Sequence, residues 1–204
     1  TVGDMDGDGI PEIGVAGASF YSVFRADGSV LWSSPTQDNS QITGSSVFDF
    51  DGSGKAKVVY GDENYLRVFE GATGKVLFQI PNSSGTAFEL PVIADVDNDN
   101  HADIVVATNW GNNGSGIRVY TDINNAWVNT RKIWNQHSYH ITNINDDGSV
   151  PKVEQNSWQV NNSYRLNAQP GVVATAESDL TASYLRIQDR GGMTPSTFTV
   201  RVGN

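Results

Sequence analysis

The chain has 204 residues, of which 38% are hydrophobic, and a formal net charge of −10 at neutral pH. This length and composition predict a folded globular protein with a sizeable core. Its 13 basic residues form no cluster and its charge balance is acidic, which excludes nucleic acid as a partner. The absence of cysteine excludes disulfides, thiolate metal sites and a cysteine nucleophile. No run of about 18 apolar residues is present, so the sequence predicts no membrane span.

An acidic loop recurs four times along the chain at nearly constant spacing. The first residues of successive loops are 45, 46 and 48 positions apart. A pattern that returns at such a period indicates a repeat architecture. The loops, called loops one to four in chain order, cover residues 4–12, 49–57, 95–103 and 143–151.

Short runs of β-branched and apolar residues flank these loops, and each run is typical of a strand. Asp27-Gly28 joins two such runs as a hairpin in the first repeat, and Thr73-Gly74 does so in the second. In chain order the predicted strands are residues 13–16, 20–24 and 30–32 in the first repeat, 46–48, 58–60, 66–69 and 76–78 in the second, and 92–94, 104–107, 117–120 and 126–128 in the third.

Four strands per repeat of ~45 residues match the size of one β-propeller blade. The predicted fold is therefore all-β: a partial β-propeller of about three to four four-stranded blades over residues 1–165. Because a propeller closes with about four to eight blades, we expect the rest of the ring to come from residues before Thr1 or from another chain. Residues 166–177 are typical of a linker. The alternating patterns at 180–187 and 198–202 predict the first strands of a truncated β-sandwich at 178–204.

Loops one and three have the composition of calcium sites. Alternate oxygen-bearing side chains on a tight loop suit a hard cation, and calcium takes about six to eight oxygens, which favours it over magnesium. An EF-hand would need Glu at loop position 12 and flanking helices, whereas Val15 and Val106 stand there between strands. We expect side-chain ligands at positions 1, 3, 5 and 9 and a carbonyl ligand at position 7. These are Asp4, Asp6, Asp8, Glu12 and the carbonyl of Ile10 in loop one, and Asp95, Asp97, Asp99, Asp103 and the carbonyl of His101 in loop three.

Loops two and four depart from this pattern and are weaker candidates for calcium. In loop two, Lys57 occupies position 9, and we expect its ammonium to stand in for the ion; a weakened calcium site is the alternative. In loop four, position 9 is Pro151, and Glu154 is a candidate ligand from outside the loop. The ligands would be Asp49, Asp51 and Ser53 in loop two, and Asn143, Asn145, Asp147 and the carbonyl of Ser149 in loop four.

Together, these loops and their flanking strands resemble the FG-GAP/VCBS repeats of calcium-binding β-propellers, the group that includes integrin α-subunit heads. The resemblance covers residues 1–165 and is specific in loops one and three. The tract 133–148 resembles a stretch of large bacterial exported proteins with such repeats, and residues 178–204 resemble the start of a CARDB-like immunoglobulin-like module. The resemblance implies a bacterial extracellular, cell-surface or periplasmic protein that uses Ca²⁺ to stiffen its blades. Its partners would be other protein subunits or surface glycans.

No catalytic residues are assigned from the sequence. His137 and His140 form the only close histidine pair, and in a strand residues i and i+3 point to opposite faces, which favours a structural role. A glycosidase or lyase would need carboxylates or a base that converge in a cleft. The prediction is therefore a non-enzymatic structural, adhesive or protein-interaction segment. The alternative is a polysaccharide lyase or hydrolase on the same scaffold. The carboxylates left over for it are Glu63, Glu70, Glu89 and Glu154.

Overall fold

A computed structural model of the chain describes residues 1–109 and 115–170, together with the backbone of Thr181–Ala182 and Val202–Gly203. Within these residues the first 120 positions form three antiparallel sheets. Sheet 1 contains β1 (Val2–Gly3), β2 (Glu12–Ala16), β3 (Phe20–Phe24) and β4 (Val30–Pro35), and sheet 2 contains β5 (Ser46–Phe48), β6 (Lys57–Gly61), β7 (Tyr65–Phe69) and β8 (Val76–Pro81); sheet 3 contains β9 (Val92–Ala94), β10 (Asp103–Thr108) and β11 (Gly116–Tyr120).

Each sheet follows chain order, so within a sheet every strand pairs with the next one along the chain. The acidic loops join the first and second strands: loop one joins β1 to β2, loop two joins β5 to β6, and loop three joins β9 to β10. The recurring sequence pattern therefore becomes a recurring structural position. The predicted all-β class is confirmed by these three sheets.

Sheet 2 lies between the other two, and its strand β6 is buried on both faces. All five residues of β6 are buried, and successive side chains alternate between the two sides. Val58 and Tyr60 belong to the core shared with sheet 1, which includes Tyr21 and Trp32. Val59, between them, belongs to the core shared with sheet 3. Consecutive sheets are therefore packed face to face by apolar side chains, as the β-branched run of β6 requires.

The turn before the fourth strand contributes to this packing in sheet 2. Gly28 in sheet 1 and Gly74 in sheet 2 occupy equivalent turns, with φ of 83° and 70°. A β-carbon on Gly28 would have nothing within 4 Å, whereas one on Gly74 would lie 2.4 Å from the indole of Trp32. The Trp32 indole N–H also donates to the carbonyl of Gly71 at 2.6 Å. This second turn is therefore a contact point between sheets 1 and 2.

The predicted fourth strand of the third repeat is wrong. Residues 126–128 do not pair with β11, so the described residues give two four-stranded sheets and one three-stranded sheet. Instead, the Val128 N–H donates to the carbonyl of Phe50 at 2.9 Å, and the Val128 carbonyl accepts the N–H of Ala102 at 3.0 Å. Trp127 packs on Phe50 with ring centroids 4.7 Å apart. Tertiary contacts thus draw this apolar segment between loops two and three and override its strand propensity.

Residues 161–168, here called the inner segment, run along the first strands of the sheets. Tyr164 bridges to Val2 of β1 in antiparallel fashion, and Leu166 bridges to Val47 of β5 in parallel fashion. The Asn167 side chain donates to the carbonyl of Ile93 in β9 at 2.8 Å. The inner segment therefore contacts the first strand of all three sheets.

The linker expected from residue 166 consequently does not begin there, because Asn167 and Ala168 are buried in these contacts. Before the inner segment, α1 (Ser157–Val160) is a single helical turn. Residues 171–177 lie outside the described residues, as does most of the predicted β-sandwich start at 178–204. Of that region only the backbone of β12 (Thr181–Ala182) and β13 (Val202–Gly203) is described, and the two pair antiparallel. Among the described residues, no helix has the length and apolar character needed to cross a membrane.

Candidate metal centres

Loops one, two and three share one backbone conformation. In each, loop positions 4 and 6 have positive φ, a region that glycine enters freely and asparagine tolerates better than most residues. The sequence has glycine or asparagine at positions 4 and 6 of each of these loops. This explains why the three loops adopt the same backbone conformation although their other side chains differ. The residues and their φ values are Gly7 (83°) and Gly9 (87°), Gly52 (68°) and Gly54 (80°), and Asn98 (69°) and Asn100 (69°).

The carboxylate at position 1 holds each loop in this conformation. In loop one, Asp4 accepts the backbone N–H groups of positions 4 and 6 at 2.7 and 3.0 Å, one on each oxygen. In loop three, Asp95 accepts the equivalent N–H groups at 2.7 and 3.1 Å. In loop two, Asp49 accepts the position 6 N–H at 2.7 Å. These bonds wrap the loop around its first carboxylate.

Three carboxylates converge in loop one and again in loop three. One oxygen from each of Asp4, Asp6 and Asp8 lies within 4.8 Å of the others. The same holds for the second set, Asp95, Asp97 and Asp99. Without a cation the like charges would repel, and for Asp4 burial raises the pKa further. These two triads correspond to predicted ligand positions 1, 3 and 5.

Position 9 of both loops carries a carboxylate that is almost fully buried, and Glu12 and Asp103 are each 1% exposed. They lie outside the two triads. Glu12 accepts the N–H of Met5 at 2.7 Å, and Asp103 Oδ2 accepts that of Val96 at 2.9 Å. Burial raises the pKa of both carboxyl groups, that of Glu12 to about 7. Asp103 Oδ1 is buried and has no hydrogen-bond partner among the described residues.

In loop two, the ammonium of Lys57 occupies the position expected for a cation. Its Nζ lies 3.4 Å from Asp49 Oδ1, contacts Asp51 Oδ1, and donates to Ser53 Oγ at 3.0 Å. It also donates to the carbonyl of Lys55 at 2.9 Å. These four oxygens belong to loop positions 1, 3, 5 and 7, which are four of the five positions predicted for calcium ligands, and Lys57 itself occupies the fifth, position 9. The structure thus places Lys57 as the sequence predicts.

Two observations indicate that loops one and three fit a hard divalent cation. The buried Asp103 Oδ1 lacks a donor, and such an oxygen is costly unless a hydrogen bond or a cation satisfies it. Lys57 shows where a positive charge sits when the same loop carries one covalently. All donors in the triads are carboxylate oxygens, which suit calcium. Asp4, Asp6 and Asp8, and their counterparts in loop three, would hold the ion, and it would supply charge neutralisation.

Loop four has a different conformation. Only Gly148, at position 6, has positive φ there. The Asn143 amide points back before the loop and donates to a carbonyl five residues upstream at 2.7 Å. The Asn145 amide donates to Ser149 Oγ at 2.9 Å, and Asp147 accepts the Ser149 N–H at 2.9 Å. In loop four these side chains are therefore bonded to other groups of the chain, and the repeated pattern of the first three loops is absent.

The remaining sequence candidates have structural partners. Glu154 does not enter loop four; it accepts a hydrogen bond from Thr142 Oγ1 at 2.9 Å and contacts His140 Nε2. The carbonyl of His137 accepts a hydrogen bond from Arg165. The imidazole of His101 lies 2.6 Å from the carbonyl of Trp127 and so points away from the triad, as expected if its backbone is the ligand group.

Loop three has one charged neighbour, Lys132, that the sequence does not predict. Lys132 Nζ lies 3.3 Å from Asp95 Oδ2 and also contacts Asn98 Oδ1. It is 34 residues from Asn98 along the chain, and no local pattern marks it. Its partial exposure leaves it free to be displaced when the triad is neutralised by an ion. Only the tertiary path of residues 126–132 across the loops brings it there.

The chain is similar to a repeat family and to a solved structure. The FG-GAP-like repeat family matches residues 49–106, which span loops two and three. The chain is similar to the crystal structure of the V. cholerae biofilm matrix protein Bap1, with a TM-score of 0.70 and 34% sequence identity. That similarity covers 76% of this chain but only 27% of the Bap1 chain. No curated protein matches the chain. The predicted resemblance to FG-GAP repeats is therefore confirmed over residues 49–106.

Proposed function

We propose that this chain is a calcium-stabilised part of a β-propeller in a bacterial extracellular or cell-surface protein, with a structural or adhesive role and no enzymatic activity. The three face-to-face antiparallel sheets are its successive blades, and the acidic loops are the points where each blade turns from its first to its second strand. Calcium in loops one and three would stiffen those turns.

One observation carries this proposal: an ammonium replaces the ion in one of three equivalent loops. Lys57 contacts the oxygens of positions 1, 3, 5 and 7 in loop two. A lysine can neutralise and tie together those oxygens, but it cannot act as a Lewis acid or bind a water as calcium does. The replacement keeps a structural role and would abolish a catalytic one. The role shared by the three loops is therefore structural.

The carboxylates outside the loops are consistent with a non-enzymatic role. Among the described residues, four glutamates lie outside the loops: Glu63, Glu70, Glu89 and Glu154. Each of them contacts a neutral polar group or an imidazole. Glu63 accepts from Gln37 at 2.7 Å, and Glu70 accepts from Thr73 at 2.8 Å. Glu89 contacts Asn109. Glu154 accepts from Thr142 Oγ1 at 2.9 Å, so each of the four has a hydrogen-bonding neighbour that is not a carboxylate.

The adhesive part of the proposal is supported by the likeness to a biofilm matrix protein at 34% identity. Such a matrix lies outside the cell, which would also fit the predicted location. The partner would be another protein subunit or a surface glycan.

The experiment is thermal unfolding of the chain with calcium and with excess chelator, combined with an activity assay on acidic polysaccharides. We expect calcium to raise the melting temperature, because an ion that binds only the folded state stabilises it. We also expect no release of new sugar ends in calcium. An unchanged melting curve in chelator would refute the calcium part, and sustained turnover of a polysaccharide would refute the non-enzymatic part.

A further inference from the structure

The inner segment carries a buried guanidinium without a counter-ion. Arg165 is 3% exposed, and it forms no ion pair within the described residues. Its Nε donates to the carbonyl of Ser45, Nη1 to that of His137, and Nη2 to that of Pro91 and to Ser46 Oγ. All four acceptors are neutral. Four of the five N–H groups of the guanidinium are thus used, and one on Nη1 is left.

Burying a positive charge among neutral groups is costly, and proteins usually provide a carboxylate for it. Burial lowers the pKa of Arg165 to about 10, so the side chain is still a cation at neutral pH. The guanidinium also lies over the ring of Trp134, 5.0 Å from its centroid. Trp134 in turn stacks on Tyr139 with centroids 4.3 Å apart. The cation is therefore held rigidly in place.

This guanidinium lines an open groove of about 310 Å³, a volume at the lower end of small-molecule sites. The groove lies at the start of β5 and β9, because Arg165 bonds to Ser45, Ser46 and Pro91 there. The acidic loops follow the opposite ends of the same strands. The groove is thus separate from the candidate calcium sites. Its other lining residues are Phe88, Leu90, Val92, Trp134, Asn135, Gln136 and His137.

The rim of the groove combines an aromatic ring with amide groups. The side chain of Phe88 is 77% exposed. It follows Thr86 and Ala87, whose φ values of 63° and 83° lie in the left-handed region that β-branched and alanine residues rarely enter. The Ala87 N–H donates to Thr43 Oγ1 at 2.9 Å, which holds this conformation. Such strain tends to persist where a structure positions a ligand contact.

We propose that this groove binds an acidic saccharide, with the carboxylate of a uronate residue directed to Arg165. The remaining N–H on Nη1 of Arg165 can give one charge-assisted hydrogen bond to a carboxylate. The exposed ring of Phe88 offers an apolar surface to the C–H face of a sugar. The amide of Gln136 offers donors and an acceptor to its hydroxyl groups, and Asn135, whose amide nitrogen donates to the carbonyl of Gly148 at 3.2 Å, offers its amide oxygen as an acceptor. A carboxylate-bearing glycan meets all three features, and an acidic peptide is the competing ligand that the assay distinguishes from it.

The binding assay is calorimetric titration of the full chain, in saturating calcium, with free trigalacturonate and with its methyl ester. Changing the ligand tests the role of Arg165 without disturbing a residue that the fold requires. We expect the ester to bind at least tenfold more weakly than the free acid. Equal affinity of acid and ester, or no binding of either, would overturn the proposal, and so would equally tight binding of a glutamate oligomer.

A protein variant locates the site. Phe88→Ala removes an exposed side chain and should weaken trigalacturonate binding at least fivefold without changing the melting temperature. Phe20→Ala is the matched control, because Phe20 is also exposed, at 52%, but lies on β3 outside the groove. Equal affinity of the two variants would overturn the location. Saccharide binding in this groove rests on the adhesive role proposed above. The melting temperature of the same sample is also measured with calcium and with chelator. If calcium raises the melting temperature but trigalacturonate does not bind, the saccharide site is wrong and the calcium-stabilised scaffold is not affected.

Discussion

Replacing Lys57 by aspartate should turn loop two into a calcium-dependent loop. In the wild type, Nζ bonds to four oxygens of the loop. Lys57→Asp removes the ammonium and places a third carboxylate beside Asp49 and Asp51, at the position that Asp103 occupies in loop three. Leaving a buried charge without its partner costs about 3–5 kcal/mol.

In the absence of calcium, the loss of folding stability in Lys57→Asp should be smaller than the cost of a fully buried unpaired charge. Asp51 has 58% of its side chain exposed, so water screens its charge, while Lys57 is nearly buried. We therefore expect a loss of about 2 kcal/mol. For a chain of this size, each kcal/mol changes the melting temperature by roughly 2–4 °C, which gives a decrease of about 4–8 °C.

Calcium should reverse this loss. The variant loop would offer three carboxylates, Ser53 and the carbonyl of Lys55, and an ion at about 100 times its dissociation constant would return about 2.7 kcal/mol. The assay is calorimetric unfolding with calcium and with chelator, together with titration of bound calcium. We expect one more ion per chain than in the wild type. Lys75→Asp, with the same change of charge at an exposed position, should behave as the wild type.

An unchanged calcium stoichiometry, together with a melting deficit that calcium does not restore, would show that Lys57 does not stand in for an ion. In that case the ammonium of Lys57 would be an ordinary ion-pair partner, and its position would say nothing about where a cation sits in loops one and three. Full stability of the variant in chelator would also contradict the account, because three adjacent carboxylates would then coexist without cost.

Three further results are expected. Asp97→Ala should reduce the calcium-dependent gain in melting temperature without changing the melting temperature in chelator by more than a few degrees; an undiminished calcium gain would count against it. In chelator, the free energy of unfolding should fall by at most about 3 kcal/mol as pH rises from about 4.5 to 7. The reason is that folding raises the pKa of Glu12 to about 7 and so favours its protonated form. An increase in the free energy of unfolding over that pH range, measured by urea titration, would contradict this. Gly74→Ala should lower the free energy of unfolding by about 1–3 kcal/mol more than Gly28→Ala. Both substitutions strain a left-handed turn, but only the new methyl group at position 74 would clash with Trp32. Equal losses in urea titration would show that the turn at Gly74 does not pack against Trp32.

The strands of the first two repeats could be predicted because their signals are local. Val58, Val59 and Tyr60 form a β-branched and aromatic run, and the structure gives β6 there. The Asp27-Gly28 dipeptide predicts a turn, and φ of 83° at Gly28 confirms the left-handed conformation. Where backbone preference and burial agree, the sequence pattern is sufficient.

The segment after β11 could not be predicted in this way. Residues 126–128 have the composition of a strand, but Trp127 packs on Phe50 and Val128 bonds to two other loops. Its contacts come from residues more than twenty positions away, and no local signal encodes them. The same holds for Arg165, whose acceptors Ser45 and Pro91 lie 120 and 74 residues away. Long-range tertiary contacts decide these positions.

The candidate metal centres were predictable in part. Spacing alone identifies the triads Asp4, Asp6 and Asp8 and their counterparts in loop three. It also suggests Lys57 as a replacement for the ion. Spacing does not reveal that loop four lacks the second left-handed residue, because that depends on whether Asp146 follows the backbone path that glycine or asparagine takes in the other loops.

The most direct test of the calcium-stabilised scaffold is a crystal structure of the chain grown in calcium, with anomalous diffraction used to locate the ions. We expect one ion in each of the two carboxylate triads and the Lys57 ammonium in loop two. An ion in loop two with Lys57 displaced, or no ion within either triad, would contradict this expectation.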